Sequence, residues 1–235
     1  MTSSVLDTLR GTIVVSCQAD PGLPLDDPKH IAALARSVIL GGATGVRIQG
    51  RDNIAAVRAA TDLPLIGLIK ADQPGSDVYI TPTLSDVAAV IAAGADVVAF
   101  DATSRPRPES VASLCAATRQ AGRLSMADVS TASEAVAAME AGADVVSTTM
   151  SGYTPYSRQQ QTADFELMAE LARLGVPFAA EGRIWSGAEA RRCLDLGAAF
   201  VVVGGAITRP DAITRRFIEE AAPTPSLKLA GRPSR

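Results

Sequence analysis

Eight short apolar runs alternate along this chain with longer amphipathic stretches, and each run gives way to a polar residue or to Gly. Runs too short for a helix and bounded by turn residues read as buried parallel strands, and stretches of 3.6-residue period as the helices that cover them. The strands fall at 12–18, 45–48, 65–70, 96–100, 123–127, 144–148, 177–180 and 200–203. Asp27 followed by Pro28 supplies an N-cap and a first-turn proline for a helix running to about Leu40, and a second helix covers 52–60. Thr83 with Asp86, Thr131 with Glu134 and Ser186 with Glu189 have the spacing of capping boxes, so each opens a helix. Further helices are expected over 164–174 and 211–220, and a short one over 4–9 leads into the first strand.

A repeat fixes the count. Gly42-Ala43, Gly94-Ala95, Gly142-Ala143 and Gly197-Ala198 recur about every 50 residues, each between a helix end and an even-numbered strand. Each interval holds two strand–helix units, which makes eight. Eight such units predict an α/β fold, the (β/α)₈ TIM barrel, as one domain over residues 1–222. An open doubly wound sheet has the same strand pattern, but no Gly-x-Gly-x-x-Gly follows the first strand. Residues 223–235, rich in Pro, Ser and basic side chains, read as a loose tail. The segment 149–163 is long for a strand–helix loop and carries Gly152, Tyr153, Pro155 and Tyr156, which makes it a candidate lid.

Composition narrows the function. The chain has 235 residues, a formal net charge of −3 and no block of like charge, so a nucleic-acid partner is not expected. No window is long and apolar enough for a membrane span, and the first ten residues have no export-signal core. Cys17, Cys115 and Cys193 are odd in number, widely spaced and set in apolar patterns, so buried thiols and a cytoplasmic location are expected. With a single histidine, His30, placed in the first turn of a helix, no metal site is expected. Trp185 reads as packing at the start of a helix rather than as a stacking platform.

In a barrel of this kind the chemistry lies at the carboxyl ends of the strands. The residues there are Gln18, Arg47, Lys70, Asp101, Asp128, Thr149, Glu181 and the Gly204-Gly205 pair. Charges at the rim of an apolar barrel must pair with one another or meet a polar ligand. Lys70 is one of only three lysines among 22 basic side chains, and an amine, unlike a guanidinium, can lose its proton when partly buried. It reads as a catalytic base, or else as a partner of Asp101 or Glu181. Glu181 faces the same cavity and could equally be a salt-bridge partner of Lys70 or Arg47. Asp101 and Asp128 could cap their loops. Gly204-Gly205 before a helix whose first turn holds Pro210 and Asp211 makes a phosphate corner after strands seven and eight, which Arg209 is placed to complete.

Val46-Arg47-Ile48-Gln49-Gly50, Gly67-Leu68-Ile69-Lys70, Tyr79-Ile80-Thr81-Pro82-Thr83, Met126-Ala127-Asp128-Val129-Ser130-Thr131, Ser151-Gly152-Tyr153-Thr154-Pro155-Tyr156, Ala180-Glu181-Gly182-Arg183-Ile184 and Gly205-Ala206-Ile207-Thr208-Arg209-Pro210 together resemble the N-acetylmannosamine-6-phosphate 2-epimerase family, in order, over residues 11–220. The Tyr-Ile-Thr-Pro-Thr and Ser-Gly-Tyr-Thr-Pro-Tyr segments are the most specific. The resemblance implies interconversion of N-acetylmannosamine 6-phosphate and N-acetylglucosamine 6-phosphate in amino-sugar or sialic acid breakdown, without a cofactor. It implies Lys70 and Glu181 as the catalytic pair. Gln18, Arg47 and Asp128 become expected sugar contacts, and Gly182, Gly204, Gly205 and Arg209 expected phosphate contacts. A homodimer is compatible with the sequence, since barrels of this type often pair. The rival for Lys70 on the same barrel is a Schiff-base aldolase or lyase.

Overall fold

The computed structural model describes residues 2–222, with side chains from Val5 onward, and the expected tail over 223–235 lies outside the described residues. Eight parallel strands close on themselves in sequence order: β1 (Ile13–Cys17), β2 (Gly45–Gln49), β3 (Leu65–Leu68), β4 (Val97–Asp101), β5 (Leu124–Asp128), β6 (Val145–Ser147), β7 (Phe178–Glu181) and β8 (Phe200–Val203). Closure is made by β1 against β8, with Val14 opposite Val202. The helices are α1 (Thr2–Leu9), α2 (Pro28–Leu40), α3 (Arg51–Arg58), α4 (Leu84–Ala92), α5 (Val111–Gln120), α6 (Ala132–Glu140), α7 (Phe165–Arg173), α8 (Gly187–Asp195), the single-turn α9 (Gly205–Thr208) and α10 (Pro210–Ala221). The closed barrel, not the open sheet, is the architecture. Among the described residues no helix is long and apolar enough to cross a membrane.

Local chemistry accounts for the boundaries. The Asp27 carboxylate accepts the Lys29 N–H, and Thr83 with Asp86 and Thr131 with Glu134 each close a complete capping box. The third expected box differs: Ser186 caps the Glu189 N–H, but the Glu189 carboxylate reaches back to Trp185 N, one residue before the cap. The repeated Gly94 shows why the motif is there, since it follows α4 at φ +105°, a conformation that favours Gly over residues with a Cβ.

Two apolar shells hold the barrel. Val15, Cys17, Val98, Phe100, Val201 and Val203 face the helices, while Val14, Ile66, Leu68, Val97, Ala99, Met126, Phe200 and Val202 fill the interior, with Leu9 of α1 fully buried among them. Alternation along each strand makes the consequence plain. Two residues beyond an inward-facing Val14, Met126, Val145 or Ala179 comes Ser16, Asp128, Ser147 or Glu181, so the interior column turns polar at the carboxyl end. β3 is shorter than expected and ends at Leu68, two residues before Lys70. The three cysteines are buried and unpaired, and burial raises the thiols of Cys17 and Cys193 to about 12 and about 11.

Candidate active site

The polar layer opens into a cavity of about 290 Å³ at the carboxyl end of the barrel, lined among others by Ser16, Gln18, Arg47, Lys70, Tyr79, Thr149, Glu181, Gly182, Gly204, Gly205 and Arg209. Of the expected site residues, only Asp128 is not on this wall. It is fully buried behind Arg47, with both carboxylate oxygens taken: Arg47 Nη1 and Nη2 donate to Asp128 Oδ1 and Oδ2 at 3.1 and 2.6 Å.

Arg47 projects from the middle of β2 and is only 1% exposed, so it must be met by counter-charge. Besides its fork with Asp128, its Nη1 donates to Glu181 Oε2 at 2.6 Å. The Arg47 Nε has no partner among the described residues. Thr149, on a 3₁₀ turn (Thr148–Met150) that follows β6, places its hydroxyl 3.0 Å from both Asp128 Oδ1 and Glu181 Oε2, and 2.7 Å from the Ser147 hydroxyl. Glu181 is pinned through its backbone as well, since Thr148 Oγ1 accepts from Glu181 N and donates to Glu181 O. Burial first, and the neighbouring Asp128 second, hold the Glu181 carboxyl above its usual range against the pull of Arg47. Burial thus raises the proton affinity of Glu181, and of Asp128 beside it, in a cluster anchored on strands β2, β5 and β7.

Lys70 makes no hydrogen bond or ion pair through its side chain among the described residues. Both partners that sequence offered it are engaged elsewhere: Asp101 is fully buried between Arg105 and Arg107 and accepts the Thr103 N–H, and Glu181 is held by Arg47. Asp101 is thus a structural carboxylate. Desolvation in the mouth, then Arg47, pushes the Lys70 amine below its ordinary value, with Asp20 and Glu181 opposing.

The opposite end of the cavity is built from backbone. Gly204 precedes α9, and its carbonyl accepts from the N–H groups of Ile207 and Thr208, while those of Gly205 and Ala206 have no acceptor among the described residues. Thr208 Oγ1 ties this corner to β1 by donating to Ser16 O at 2.6 Å. Arg209 stands beside it with its guanidinium shared between Asp211, at 2.9 and 2.8 Å, and Asp20 Oδ2, at 3.0 Å. It holds the exposed Asp211 carboxyl down to about 2. Gln18 Nε2 donates to the Ser16 hydroxyl at 2.8 Å.

Sequence reasoning missed Tyr79 and Arg183. Tyr79 puts a half-buried phenol on the cavity wall, and burial raises it, so it stays an O–H donor at neutral pH. Arg183 adopts φ +54°, donates to Ser151 O at 2.6 Å and Thr162 O at 3.1 Å, and lies 5.4 Å from the centre of the Tyr153 ring. The candidate lid is accordingly tied down: Ser151 bonds Asp164, Thr154 bonds Ser130, and Tyr156 donates to Glu134 at 2.7 Å. The loop presents Thr149, Met150 and Tyr153 to the cavity, while Pro155, Tyr156, Arg158, Gln159, Gln161 and Thr162 are exposed.

The chain is similar to known proteins along most of its length. Residues 31–222 match the model of the family described as "Putative N-acetylmannosamine-6-phosphate epimerase". A relative from Clostridium perfringens (strain SM101 / Type A), named as an N-acetylmannosamine-6-phosphate 2-epimerase, is 44% identical over 92% of this chain and 99% of its own. A "Bifunctional enzyme NanE/NanK" from Brucella melitensis is 46% identical over 98% of this chain, which spans 45% of that larger protein. Among solved structures, that of the N-acetylmannosamine-6-phosphate 2-epimerase from Clostridium perfringens superposes with a TM-score of 0.90 at 44% identity, covering 92% of this chain and 95% of the other.

Proposed function

The chain belongs to the N-acetylmannosamine-6-phosphate epimerase family, and from that premise we propose how its cavity inverts C2 of N-acetylmannosamine 6-phosphate to give N-acetylglucosamine 6-phosphate, a step of amino-sugar and sialic acid degradation. The observation that carries the reading is the free amine of Lys70 in one cavity with a Glu181 carboxyl held above its usual range.

Opening the sugar ring exposes an aldehyde that acidifies the C2 proton. Neutral Lys70 takes that proton; the C2–H electron pair becomes the C1=C2 bond, and the carbonyl pair moves to O1. Hydrogen-bond donors around O1 lower this barrier, and Tyr79 is one on the wall. Return of a proton to the other face of C2 regenerates the aldehyde with inverted configuration. Glu181 serves ring opening or the second face, while Arg47 and Asp128 hold its carboxylate in place. Asp128, expected as a sugar contact, acts from behind Arg47. Glu181→Gln keeps the shape but not the proton, and is expected to slow turnover by about 10²-fold; near-normal turnover would leave Lys70 as the sole base. Borohydride added with substrate should trap no adduct on Lys70, whereas a covalent adduct would favour the Schiff-base lyase.

The phosphate binds where Gly182, Gly204 and Gly205 leave backbone N–H groups for it, and Arg209 exchanges its exposed carboxylates for phosphate oxygens. Arg209→Ala should weaken binding of the phosphorylated sugar by about 1.5–3 kcal/mol, measured by calorimetry. Equal affinity of parent and variant would remove Arg209 from the phosphate site.

A cytoplasmic location fits three buried, unpaired thiols. A homodimer would cover α10, which buries no side chain among the described residues and leaves Phe217 and Ile218 71% and 66% exposed; light scattering of the purified chain decides it.

A further inference from the structure

Tyr79-Ile80-Thr81-Pro82-Thr83, one of the two most specific segments of the sequence, contributes Tyr79 to the cavity wall, but Thr81 is fully buried and does not line it. Its geometry is unusual in another respect. Apart from Arg183, Thr81 is the one non-glycine residue among those described with a positive φ, at +43°, and a β-branched side chain makes that conformation a genuine outlier. Such a conformation persists where its surroundings over-determine it, and it clusters near functional sites.

The surroundings explain what it does. β3 and β4 pair only at Ile66↔Val97 and Gly67↔Val98, and beyond that point the ladder between them opens. The Thr81 hydroxyl occupies the opening: it accepts the Ile69 N–H at 3.1 Å and donates to Ala99 O of β4 at 2.7 Å. Thr81 N donates to Ile69 O at 2.7 Å, and Ala71 N donates to Tyr79 O at 2.9 Å, so residues 79–81 run antiparallel to 69–71, with Lys70 opposite Ile80. Asp101 N donates to Ile80 O at 2.9 Å, which fixes the returning segment to the end of β4. Lys70, two residues past the end of β3, therefore owes its backbone position to this brace and not to the barrel ladder.

We infer that Thr81 is a positioning residue for the epimerisation: its hydroxyl, wedged between Ile69 and Ala99, sets where the Lys70 amine stands in the cavity. The inference rests on Lys70 as the base. Misplacing a catalytic group by about an ångström costs rate rather than substrate affinity, because the sugar phosphate is held at the other end of the cavity.

Thr81→Val keeps the shape and removes the hydroxyl, and Thr81→Ser keeps the hydroxyl. The valine variant should lose about 10–100-fold in kcat with KM little changed, and serine should restore most of it. The groups around Lys70 are Arg47, Arg209, Asp20 and Glu181, and the valine variant keeps them all. A less fixed amine is better solvated, so the acid limb of the kcat–pH profile should move to higher pH in valine and return in serine. Circular dichroism and the unfolding midpoint of each variant separate these effects from loss of folded protein. If the valine variant does not fold, Thr81→Ala leaves the same two groups unpaired with less bulk and is read in the same way. A kcat and pH profile like the parent's in a folded hydroxyl-free variant, or serine no better than valine, overturns the inference. Full turnover by Lys70→Ala would instead remove the base it serves.

Discussion

Lys70→Ala should turn over N-acetylmannosamine 6-phosphate about 10⁴-fold more slowly than the parent chain, the upper end of what a positioned base contributes. Its fold should be unchanged, because the side chain is exposed and bonded to nothing among the described residues. Two observations make this the largest kinetic effect in the molecule. No other amine among the described residues lines the cavity, and the carboxylates Asp20, Asp101 and Glu181 are each already paired with an arginine. The sign of the pH dependence follows. Lys70 works unprotonated and its amine lies below 10.5, so turnover should rise with pH along a limb centred below that value. A variant retaining a tenth or more of parental activity, or a parental rate that falls as pH rises from 6 to 8, would contradict the role.

The order of elements was legible because apolar runs, capping pairs and Gly-Ala repeats are local signals, and all eight strands stand where the runs stand. What could not be read is which face of each strand is which. A barrel strand is apolar on both sides, so the sequence shows no alternation to separate interior from helix-facing residues. That Arg47 points inward beneath the mouth, and meets Asp128 and Glu181 from 81 and 134 residues away, is a product of closure. The same limit applied to Lys70. Sequence offered it Asp101 or Glu181 as partners, and only the structure shows Asp101 given to Arg105 and Arg107 of its own loop. β3 was expected to run through Lys70 because Ile69 continues its apolar run. Thr81 ends the strand earlier by supplying the hydrogen bonds that the neighbouring strand no longer does.

Arg47→Met should destabilise the fold by about 3–5 kcal/mol at neutral pH, the cost of removing one member of a buried ionic cluster. Methionine fills much of the volume, so the loss reports charge more than packing. Asp128, fully buried, and Glu181, with a side chain 13% exposed, would be left with only Thr149 and Ser147 to satisfy them. Their folded-state pKa values, which burial already holds above the ordinary range with Arg47 present, would rise further without it. Carboxyls raised in this way cost nothing while protonated and most when ionised, so the deficit against the parent should shrink as pH falls toward about 4. Urea unfolding at several pH values measures it. A deficit under about 1 kcal/mol at neutral pH, or one that grows in acid, would show that Arg47 is not what neutralises the two carboxylates.

A proton is expected to leave and return at C2 inside this one cavity. Proton NMR of N-acetylmannosamine 6-phosphate with the purified chain in D₂O, without added metal, reads both events at once. The expected spectrum shows N-acetylglucosamine 6-phosphate with deuterium at C2, and none with Lys70→Ala. Nearly complete deuteration in the first turnover would point to separate bases on the two faces, and partial retention of the original proton to Lys70 serving both. Substrate left unchanged by the parent chain, or consumed by cleavage of a carbon–carbon bond without epimer, would contradict the account.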